Sequence, residues 1–404
     1  MSFFKKPNFG FILITVLVFV LGWQLGHYDY NLQLKNYRPT FNVTNQVVPQ
    51  NVPIDFKLFW QTWDLVFREY VDKKALDPQK MFYGAIQGMV AAAGDPYTVF
   101  LPPDSQKSTK EQLNGSFDGV GIQLGYNKDK RLVVIAPLQG TPADKAGIKA
   151  GDIIVKIDSK DTTAISLPDA VNAIRGPRGS SIALEIYRDG ETKTRTITIQ
   201  RDTIIVKSVE LQTKTTPGGK KVGLIKLSQF GERTDNEWNQ AVVDALASGS
   251  QAIILDVRNN PGGLLDGAVY IGSEFIKSGN VVQQEDSRGN RQGYPVNRQG
   301  KLLNLPMVVL INKGSASASE IVAGAIQDNK RGTLVGEQSF GKGTIQSAED
   351  LPNGTGIHIT TAKWLTPNGR WIHQVGLTPD VKVDAGDDQS KDPQLLRALE
   401  LLDR

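Results

Sequence analysis

The sequence predicts an α/β protein in which a β-rich domain precedes a layered core. After Val222, continuous apolar strands alternate with helical stretches, as expected for a sheet whose two faces are covered by helices. Between Asn114 and Gln200, short alternating strands are separated by Gly and Asp turns. Residues 54–93, ahead of both, have apolar residues at helical spacing.

The amino-acid composition excludes several kinds of functional site. The 404 residues are 40% apolar and 22% charged, which allows two or three domains with packed cores. The formal charge of +4 is small and the basic residues are scattered, so no nucleic-acid partner is expected. The absence of cysteine excludes a thiol nucleophile, disulfides and thiolate metal sites. Of the three histidines, His27 ends the N-terminal apolar run, so only His358 and His373 remain, and neither a metal nor another cofactor is expected.

The N-terminus has the pattern of a membrane anchor. Lys5 and Lys6 precede an apolar run over residues 9–25, which is near the lower length limit for a spanning helix. The preceding positive charge predicts a cytoplasmic start and the rest of the chain outside the cytoplasm, on the periplasmic or cell-wall side of the membrane. Secretion after signal cleavage is the alternative, although small residues at a cleavage site are missing. We therefore expect an anchor over residues 1–28 and a linker over residues 29–53.

Residues 54–104 are predicted to be a helical region. A second helix is expected from about Pro78 to Ala93, because Gly94-Asp95-Pro96 would end it. The first helix carries apolar residues at three- and four-residue steps, which we expect in the core or at a subunit interface. These residues are Phe56, Phe59, Trp60, Trp63, Val66, Phe67 and Tyr70.

Residues 105–201 contain a glycine turn, several short strands and a short helix at 167–174. The order of these elements resembles a PDZ domain. Successive N–H groups in a glycine turn can hold a carboxylate, and the neighbouring strand can accept an extended peptide. The resemblance therefore implies a site for protein C-termini. Its peptide-binding residues would be Gly119, Val120, Gly121 and Ile122 in the turn, with Leu167 and Val171 on the pocket wall.

Two strand-to-helix turns in the C-terminal half are candidates for a catalytic centre. One is the corner Asn260–Gly263, and the other holds Ser315, Ser317 and Ser319. Both turns lie at carboxyl ends of predicted strands, where α/β folds place their sites. Free backbone N–H groups at these turns can form an oxyanion hole. Taken singly, each turn also fits an ordinary corner or a serine helix cap.

A lysine in a glycine-flanked loop gives these turns a chemical partner. Burial of Lys342 would favour loss of its proton, and a neutral lysine can serve as general base for a serine. Gln346 is placed to hydrogen-bond and orient this lysine. The segment from Gly336 to Lys342 also has Walker A spacing. However, Gly343 stands where a magnesium-binding hydroxyl is needed, so no nucleotide site is expected.

Three motifs resemble those of the carboxyl-terminal processing peptidases, or tail-specific proteases, of serine peptidase family S41. They span residues 258–263, 315–320 and 340–346. The resemblance implies a crotonase/ClpP-like layered core over residues 202–385 and a helical tail over 386–404. Spacing alone leaves the three serines open, and the resemblance selects Ser317. It implies Ser317 as nucleophile, Lys342 as base, Gln346 as its partner, and backbone N–H groups of Gly262 or Gly263 and of Ala318 as the oxyanion hole.

The expected function is that of a serine endopeptidase with a Ser-Lys dyad, which binds the C-termini of envelope proteins and cleaves near them. A catalytically inactive PDZ scaffold at the membrane is the alternative. Arg175 and Arg178 flank Gly176-Pro177 at the end of the PDZ helix, near the expected domain hinge, so they are candidates for coupling peptide binding to Lys342. Solvated turn charges are the plainer interpretation. The resemblance also implies a homo-oligomer and is compatible with an adaptor protein. The final helix, about Pro393 to Leu402, is expected to pack on a partner subunit or on its own domain.

Overall fold

The computed structural model describes residues 16–20, 29–35, 38–44, 54–386 and 391–404. The chain forms two compact units that meet in sequence after Pro78. In the first unit, β1 (Asp29–Lys35) and β2 (Arg38–Thr44) pair as an antiparallel hairpin. The prediction of a linker over residues 29–53 is therefore wrong for this part. Apolar residues alternate with polar ones along β1, which is the strand signal that the Asn, Gln and Pro content obscured.

The predicted anchor lies outside the described residues except for 16–20, which are helical. Within the described ranges, no helix has the length and apolar content needed to cross a bilayer. The first unit also contains α1 (Lys57–Glu69), and its aromatic rings contact one another along the helix, as Trp63 and Phe67 do at 5.6 Å between centroids. No residue of α1 is fully buried, so these rings do not form the predicted core.

The second unit starts with two helices and a short strand that precede the β-rich domain. These are α2 (Pro78–Ala91), β3 (Val99–Leu101) and α3 (Pro103–Asn114). Helix α3 binds the core, because Gln106 and Lys110 both contact the carboxylate of Asp350. The predicted domain start at residue 105 is therefore too early, and the β-rich domain begins after α3.

The β-rich domain is inserted between two paired strands, β4 (Ser116–Gly119) and β11 (Asp202–Ile205). Its main sheet has the order β10-β9-β7-β6-β5, which leaves β5 at an edge, and β8 pairs with β7. Apolar side chains of this sheet and of helix α5 form the domain's own core. Its elements are β5 (Ile122–Tyr126), β6 (Leu132–Pro137), α4 (Pro142–Lys145), β7 (Ile153–Ile157), β8 (Lys160–Asp161), α5 (Leu167–Ile174), β9 (Ser181–Tyr187) and β10 (Arg195–Gln200).

The main core sheet has the order β12-β13-β14-β17-β18-β21, and all neighbours are parallel except β12 and β13. Strands β14 and β17 are buried along their whole length, which explains their unbroken apolar runs. The predicted layered α/β core is confirmed. Its strands and helices are β12 (Val209–Thr215), β13 (Lys221–Leu227), α6 (Thr234–Ala247), β14 (Ala252–Asp256), α7 (Leu265–Gly272), β17 (Met307–Ile311), α8 (Ala318–Asp328), β18 (Thr333–Gly336) and β21 (Val381–Lys382).

A second, antiparallel sheet of the core has the order β16-β15-β20-β19, and β3 adds to β20. The loop with Lys342 runs from the main sheet to this one, between β18 and β19. The strands are β15 (Asn280–Asp286), β16 (Arg291–Pro295), β19 (Thr344–Asp350) and β20 (Gly356–Leu365).

The C-terminal helix α9 (Pro393–Asp403) packs on its own main sheet. Ala398 and Leu402 are buried there against residues of β13, β14, β17 and β18. Arg258, next to the glycine corner, pairs with both Asp256 and Asp392 at the start of this helix. Of the two predicted positions for this helix, the structure has the one on its own domain.

Candidate active site

The strand order brings the two predicted corners together. Strands β14 and β17 are parallel neighbours, so the glycine corner and the serine turn follow them at the same sheet edge. The N–H of Ala316 donates to the carbonyl of Asn260, and the hydroxyl of Ser319 donates to the same oxygen. A Cβ at Gly262 would lie only 2.8 Å from the Cβ of Ser317. The corner and the turn are therefore in direct contact.

Ser317 has a backbone conformation that few non-glycine residues adopt, with φ 54° and ψ −116°. Such a conformation costs about 1–3 kcal/mol and persists only where the surrounding structure holds it. It stands at the N-cap of α8, in a sharp turn from strand to helix, and is partly exposed. A strained turn of this kind presents a serine hydroxyl outward at the edge of a sheet.

Ser315 and Ser319 have structural tasks instead. Both are fully buried. The Ser315 hydroxyl donates to the carbonyl of Val257, and the Ser319 hydroxyl donates to that of Asn260. The geometry thus favours Ser317 among the three serines that spacing left open.

The backbone N–H groups predicted to form the oxyanion hole differ in whether they already donate to another acceptor. The N–H of Gly262 donates to Oδ1 of the buried Asn260 side chain at 2.9 Å. Among the described residues, the N–H groups of Gly263 and Ala318 have no acceptor. Gly263 has φ +141°, and a Cβ there would lie 2.0 Å from the carbonyl oxygen of Phe230. The geometry therefore favours Gly263 over Gly262 as the partner of Ala318.

Lys342 lies in a half-buried position beside the serine turn. Burial lowers the pKa of its ammonium, while the negative charges of Asp95 and Glu320 oppose this effect. Its Nζ lies 4.8 Å from the centre of the Tyr97 ring. Within residues 54–386, no hydrogen bond joins the Lys342 side chain to that of Ser317. A lowered pKa is what a lysine needs to act as a base near neutral pH.

Glu320 connects the serine turn to the lysine loop. It is fully buried in the first turn of α8 and accepts four hydrogen bonds. Its Oε1 accepts from the hydroxyl of Ser339 and the N–H of Gly341, both at 2.6 Å. Its Oε2 accepts from the N–H groups of Ser317, at 2.8 Å, and Lys342, at 2.9 Å. One carboxylate thus organises both loops.

Gln346 is placed differently from the expectation. Its Nε2 donates to the hydroxyls of Thr344 and Thr360, each at 3.0 Å. No hydrogen bond between Gln346 and Lys342 is present in the described part of the chain. The amide is therefore tied to β19 and β20, and its predicted contact with the lysine is not formed in this conformation.

The predicted peptide groove lies between the edge strand β5 and helix α5. The carbonyls of Val120 and Gly121 are bonded to the N–H groups of Ala143 and Leu138, whereas their own N–H groups have no acceptor among the described residues. Gly121 has φ +80°, and a Cβ there would meet Thr141 at 2.5 Å. The partly buried side chains of Ile122, Leu124 and Leu167 pack beside this turn, and Val171 is half-buried on α5. The turn therefore has unpaired N–H donors beside apolar side chains, and Val120 and Gly121 are buried in this conformation.

The two candidate regulatory arginines differ in burial. Arg175 donates to Glu111 of α3 at 3.0 Å and lies over the ring of Phe117, 4.7 Å from its centroid. Arg178 pairs with Asp202 of β11 at 2.8 Å, but its side chain is 71% exposed. Arg175 therefore connects the end of α5 to the core, whereas Arg178 is a surface charge.

Sequence reasoning missed Glu320, Asp95 and Tyr97 as neighbours of the site. Glu320 follows Ser317 by three residues, and this capping-box spacing could have identified it as a helix-start residue. Tyr97 and Asp95 carry no such signal, because their contact with Lys342 joins distant parts of the sequence. In the residues that the structure describes, no cluster of His, Asp and Glu side chains could hold a metal ion.

Comparison with known proteins identifies three matching family models. Peptidase family S41 matches residues 221–383, a PDZ domain matches residues 133–188, and the N-terminal domain of activating protease CtpB matches residues 29–105. The predicted PDZ domain is thereby confirmed.

Relatives match along most of the chain. The carboxy-terminal processing protease CtpA of Bacillus subtilis (strain 168) is 36% identical over 81% of this chain and 68% of its own length. A carboxyl-terminal-processing protease of Synechocystis sp. is 37% identical over 81% of each chain. The structure of the photosystem II D1 C-terminal processing protease matches with a TM-score of 0.50 and 32% identity, over 85% of this chain and 96% of that chain. A putative S41 protease from Bacteroides fragilis NCTC 9343, at 16% identity, a TM-score of 0.54 and coverage of 88% and 98%, shares the fold.

Proposed function

The chain belongs to peptidase family S41 as a carboxyl-terminal processing protease with a PDZ domain, and we propose that it cleaves its substrates with a Ser317–Lys342 dyad. The resemblance seen in the sequence motifs is confirmed at the level of the family and of the enzyme class. The observation that carries the dyad is that one buried carboxylate, that of Glu320, accepts from the backbone N–H groups of both Ser317 and Lys342. The turn at Ser317 is strained and touches the glycine corner, and burial lowers the pKa of the Lys342 ammonium.

The proposed reaction proceeds through an acyl-enzyme. The neutral amine of Lys342 takes the proton of the Ser317 hydroxyl, and the oxygen attacks the carbonyl carbon of the scissile bond. The N–H groups of Gly263 and Ala318 bind the oxyanion. As the tetrahedral intermediate collapses, Lys342 returns the proton to the leaving amine. Lys342 then takes a proton from the water that attacks the ester, and it gives this proton to the Ser317 oxygen as the ester bond breaks and the new C-terminus is released.

Substrate capture is assigned to the PDZ domain. The carboxylate of a protein C-terminus would bind the free N–H groups of the turn at Val120 and Gly121, and the chain before it would add to the edge strand β5. The apolar wall with Leu167 and Val171 fits an apolar last residue. In the alternative function, a catalytically inactive scaffold, the protein binds C-termini without cleaving them. A cleavage assay therefore distinguishes the two functions.

The test uses an unstructured protein with an apolar C-terminus. Wild type should generate new C-termini that intact-mass spectrometry can map. Ser317→Ala should bind the same C-terminus without cleaving, and Lys342→Arg should also be inactive because a guanidinium stays protonated. Retained turnover in Ser317→Ala would contradict the assignment.

The location and partners of the enzyme are also proposals. The N-terminal apolar run supports a membrane-anchored enzyme whose substrates are envelope proteins. We expect a homo-oligomer, and an adaptor protein would fit the same scheme. Protease accessibility in intact and broken cells tests the orientation, and native mass spectrometry tests the assembly.

Arg175 supports a coupling between peptide binding and the core. It joins the end of α5 to Glu111 and Phe117 outside the PDZ domain. Arg175→Ala should therefore weaken activation by a C-terminal peptide, whereas Arg178→Ala should change it less. Unchanged activation in both variants would remove the proposal.

A further inference from the structure

We propose that Glu320 is a positioning residue of this protease, because its buried carboxylate holds the nucleophile turn and the base loop in a fixed relation. The inference rests on the proposed roles of Ser317 and Lys342. It assigns to Glu320 no contact with substrate.

The two loops follow different strands, so their relative position depends on a group that contacts both. Ser317 follows β17, whereas Lys342 lies between β18 and β19, 25 residues later. The N–H groups of both residues donate to Oε2 of Glu320. The other oxygen holds the lysine loop at Ser339 and Gly341. A displacement of either loop therefore breaks bonds to the same carboxylate.

The strained backbone of Ser317 gives this attachment a specific task. A conformation at φ 54° and ψ −116° persists only when the surroundings oppose its relaxation. The N–H of Ser317, which is hydrogen-bonded to Glu320, belongs to the strained residue itself, so this bond holds the strained backbone in place. Loss of that bond would allow the turn to relax and would move the hydroxyl relative to Lys342. A misplacement of about 1 Å can reduce a rate by about 100-fold.

The bonding pattern fits the ionised form of Glu320. Burial raises the pKa of its carboxyl above the usual 4.5, and the hydrogen bonds from its four donors offset only part of this rise. Three of these donors are backbone N–H groups, which cannot accept a hydrogen bond from a protonated carboxyl. The carboxylate is therefore the form in which every bond is satisfied.

A charged Glu320 also affects the base. Among the described residues, Asp95, Tyr97, His358 and Glu320 are the titratable groups that face Lys342. His373 lies next to them, where its Nδ1 accepts from the N–H of Gly343. Among them, Asp95 and Glu320 favour the protonated lysine. Neutralising Glu320 should thus make the amine lose its proton at lower pH, and a merely structural residue would not produce this effect.

Glu320→Gln separates the two oxygens. The glutamine side chain has one carbonyl oxygen, which can accept from the N–H groups of Ser317 and Lys342. Its amide nitrogen then faces the Ser339 hydroxyl, which can act as the acceptor. The N–H of Gly341 then faces a donor and loses its partner. The opposite orientation would leave two N–H groups without a partner. Glu320→Gln therefore keeps the shape of the side chain but cannot satisfy all four donors.

Glu320→Asp separates geometry from charge, since it keeps the carboxylate but is too short to reach both loops. Glu274→Gln is the matched control for losing a buried carboxylate. Glu274 is 1% exposed and accepts from Arg298, the indole of Trp238 and the N–H of Leu302, away from both loops.

The experiment measures kcat, KM and the pH dependence of kcat/KM on a tailed substrate, with folding checked by thermal melting. Glu320→Gln should reduce kcat by about 100-fold with KM unchanged, and its acid limb should move to lower pH. Glu320→Asp should reduce kcat and leave the acid limb in place. Glu274→Gln should melt earlier but keep the wild-type pH profile.

Wild-type kcat in either folded Glu320 variant, or a loss confined to KM, would overturn the proposal. If Glu320→Gln does not fold, the kcat of Glu320→Asp decides. Turnover by Ser317→Ala would refute the dyad itself. An inactive Ser317→Ala combined with normal Glu320 variants would refute only the positioning role.

Discussion

The backbone N–H groups of Ser317 and Lys342 donate to the same atom, Oε2 of Glu320, at 2.8 and 2.9 Å. A glutamate three residues into a helix commonly accepts from the N-cap residue, and here its carboxylate extends to a second loop. The separation of the two backbones is thereby set by one buried group. The strained turn at Ser317 is consequently maintained by tertiary contacts, and its cost should be measurable.

The strain predicts an unusual order of stability at position 317. Ser317→Gly should be more stable than Ser317→Ala by about 1 kcal/mol, because glycine tolerates a positive φ and alanine retains the strain of about 1–3 kcal/mol. Both variants should be inactive. Urea unfolding of the two proteins measures the difference.

Ser319 provides the control, since it lies inside the first turn of α8. There, Ser319→Gly should be less stable than Ser319→Ala by about 0.5–1 kcal/mol, the ordinary order for a helix. The same order at positions 317 and 319 would contradict the assignment of strain to Ser317.

Lys342 predicts a pH dependence of both activity and stability. Burial lowers the pKa of its ammonium below the usual 10.5. Activity should therefore rise as pH rises through this lowered value, because only the neutral amine acts as a base. Between the lowered and the usual pKa, the unfolded chain binds more protons than the folded one, so the stability of wild type also rises with pH.

Lys342→Met removes the free-energy penalty of burying an ammonium group in the folded protein. The variant should be inactive and more stable than wild type by about 1 kcal/mol at neutral pH. The gain should shrink in alkaline solution, where the wild-type amine is neutral. Lys313→Met, at a side chain that is 83% exposed, should show no such gain. Melting curves across the pH range measure both, and a gain independent of pH would argue against a buried charge.

Local patterns predicted most elements of the fold. Helix α5 has the predicted bounds, 167–174, because apolar periodicity and turn residues act within a few neighbouring positions. Helix α3 was missed, since its sequence is polar and one face rests on distant parts of the core.

The candidate site depends more on contacts between distant segments. The spacing of Ser317 and Glu320 indicates a helix cap but carries no information about the lysine loop. The choice between Gly262 and Gly263 depends on the Asn260 side chain, which occupies one N–H. A side-chain orientation of this kind follows from packing and is not encoded in the motif itself.

The PDZ turn can be tested through its glycine. Gly121→Ala should raise the KM for a tailed substrate, because its Cβ would meet Thr141 at 2.5 Å and displace the carboxylate-binding turn. Labelling of Ser317 by a fluorophosphonate should persist, since the core is untouched. Gly190→Ala is a matched control with a similar φ of +83° and open space around the new Cβ. An equal effect of both substitutions on KM would argue for general destabilisation instead of a binding defect.

The pair of Arg258 and Asp392 predicts how the C-terminal helix is retained. Burial raises the pKa of the Asp392 carboxyl, but the bonds from Arg258 and from the N–H of Leu395 outweigh it and lower the pKa. A lowered folded pKa contributes stability that is present above the usual pKa and is lost as pH falls through the folded value. Asp392→Asn should keep the helix cap but lose the charge pair. Because Asp392 is 38% exposed, the loss should be about 1 kcal/mol at neutral pH and should vanish in acid. A double-mutant cycle with Arg258→Met, measured by urea unfolding, isolates this coupling, and a coupling that persists in acid would contradict the ion pair.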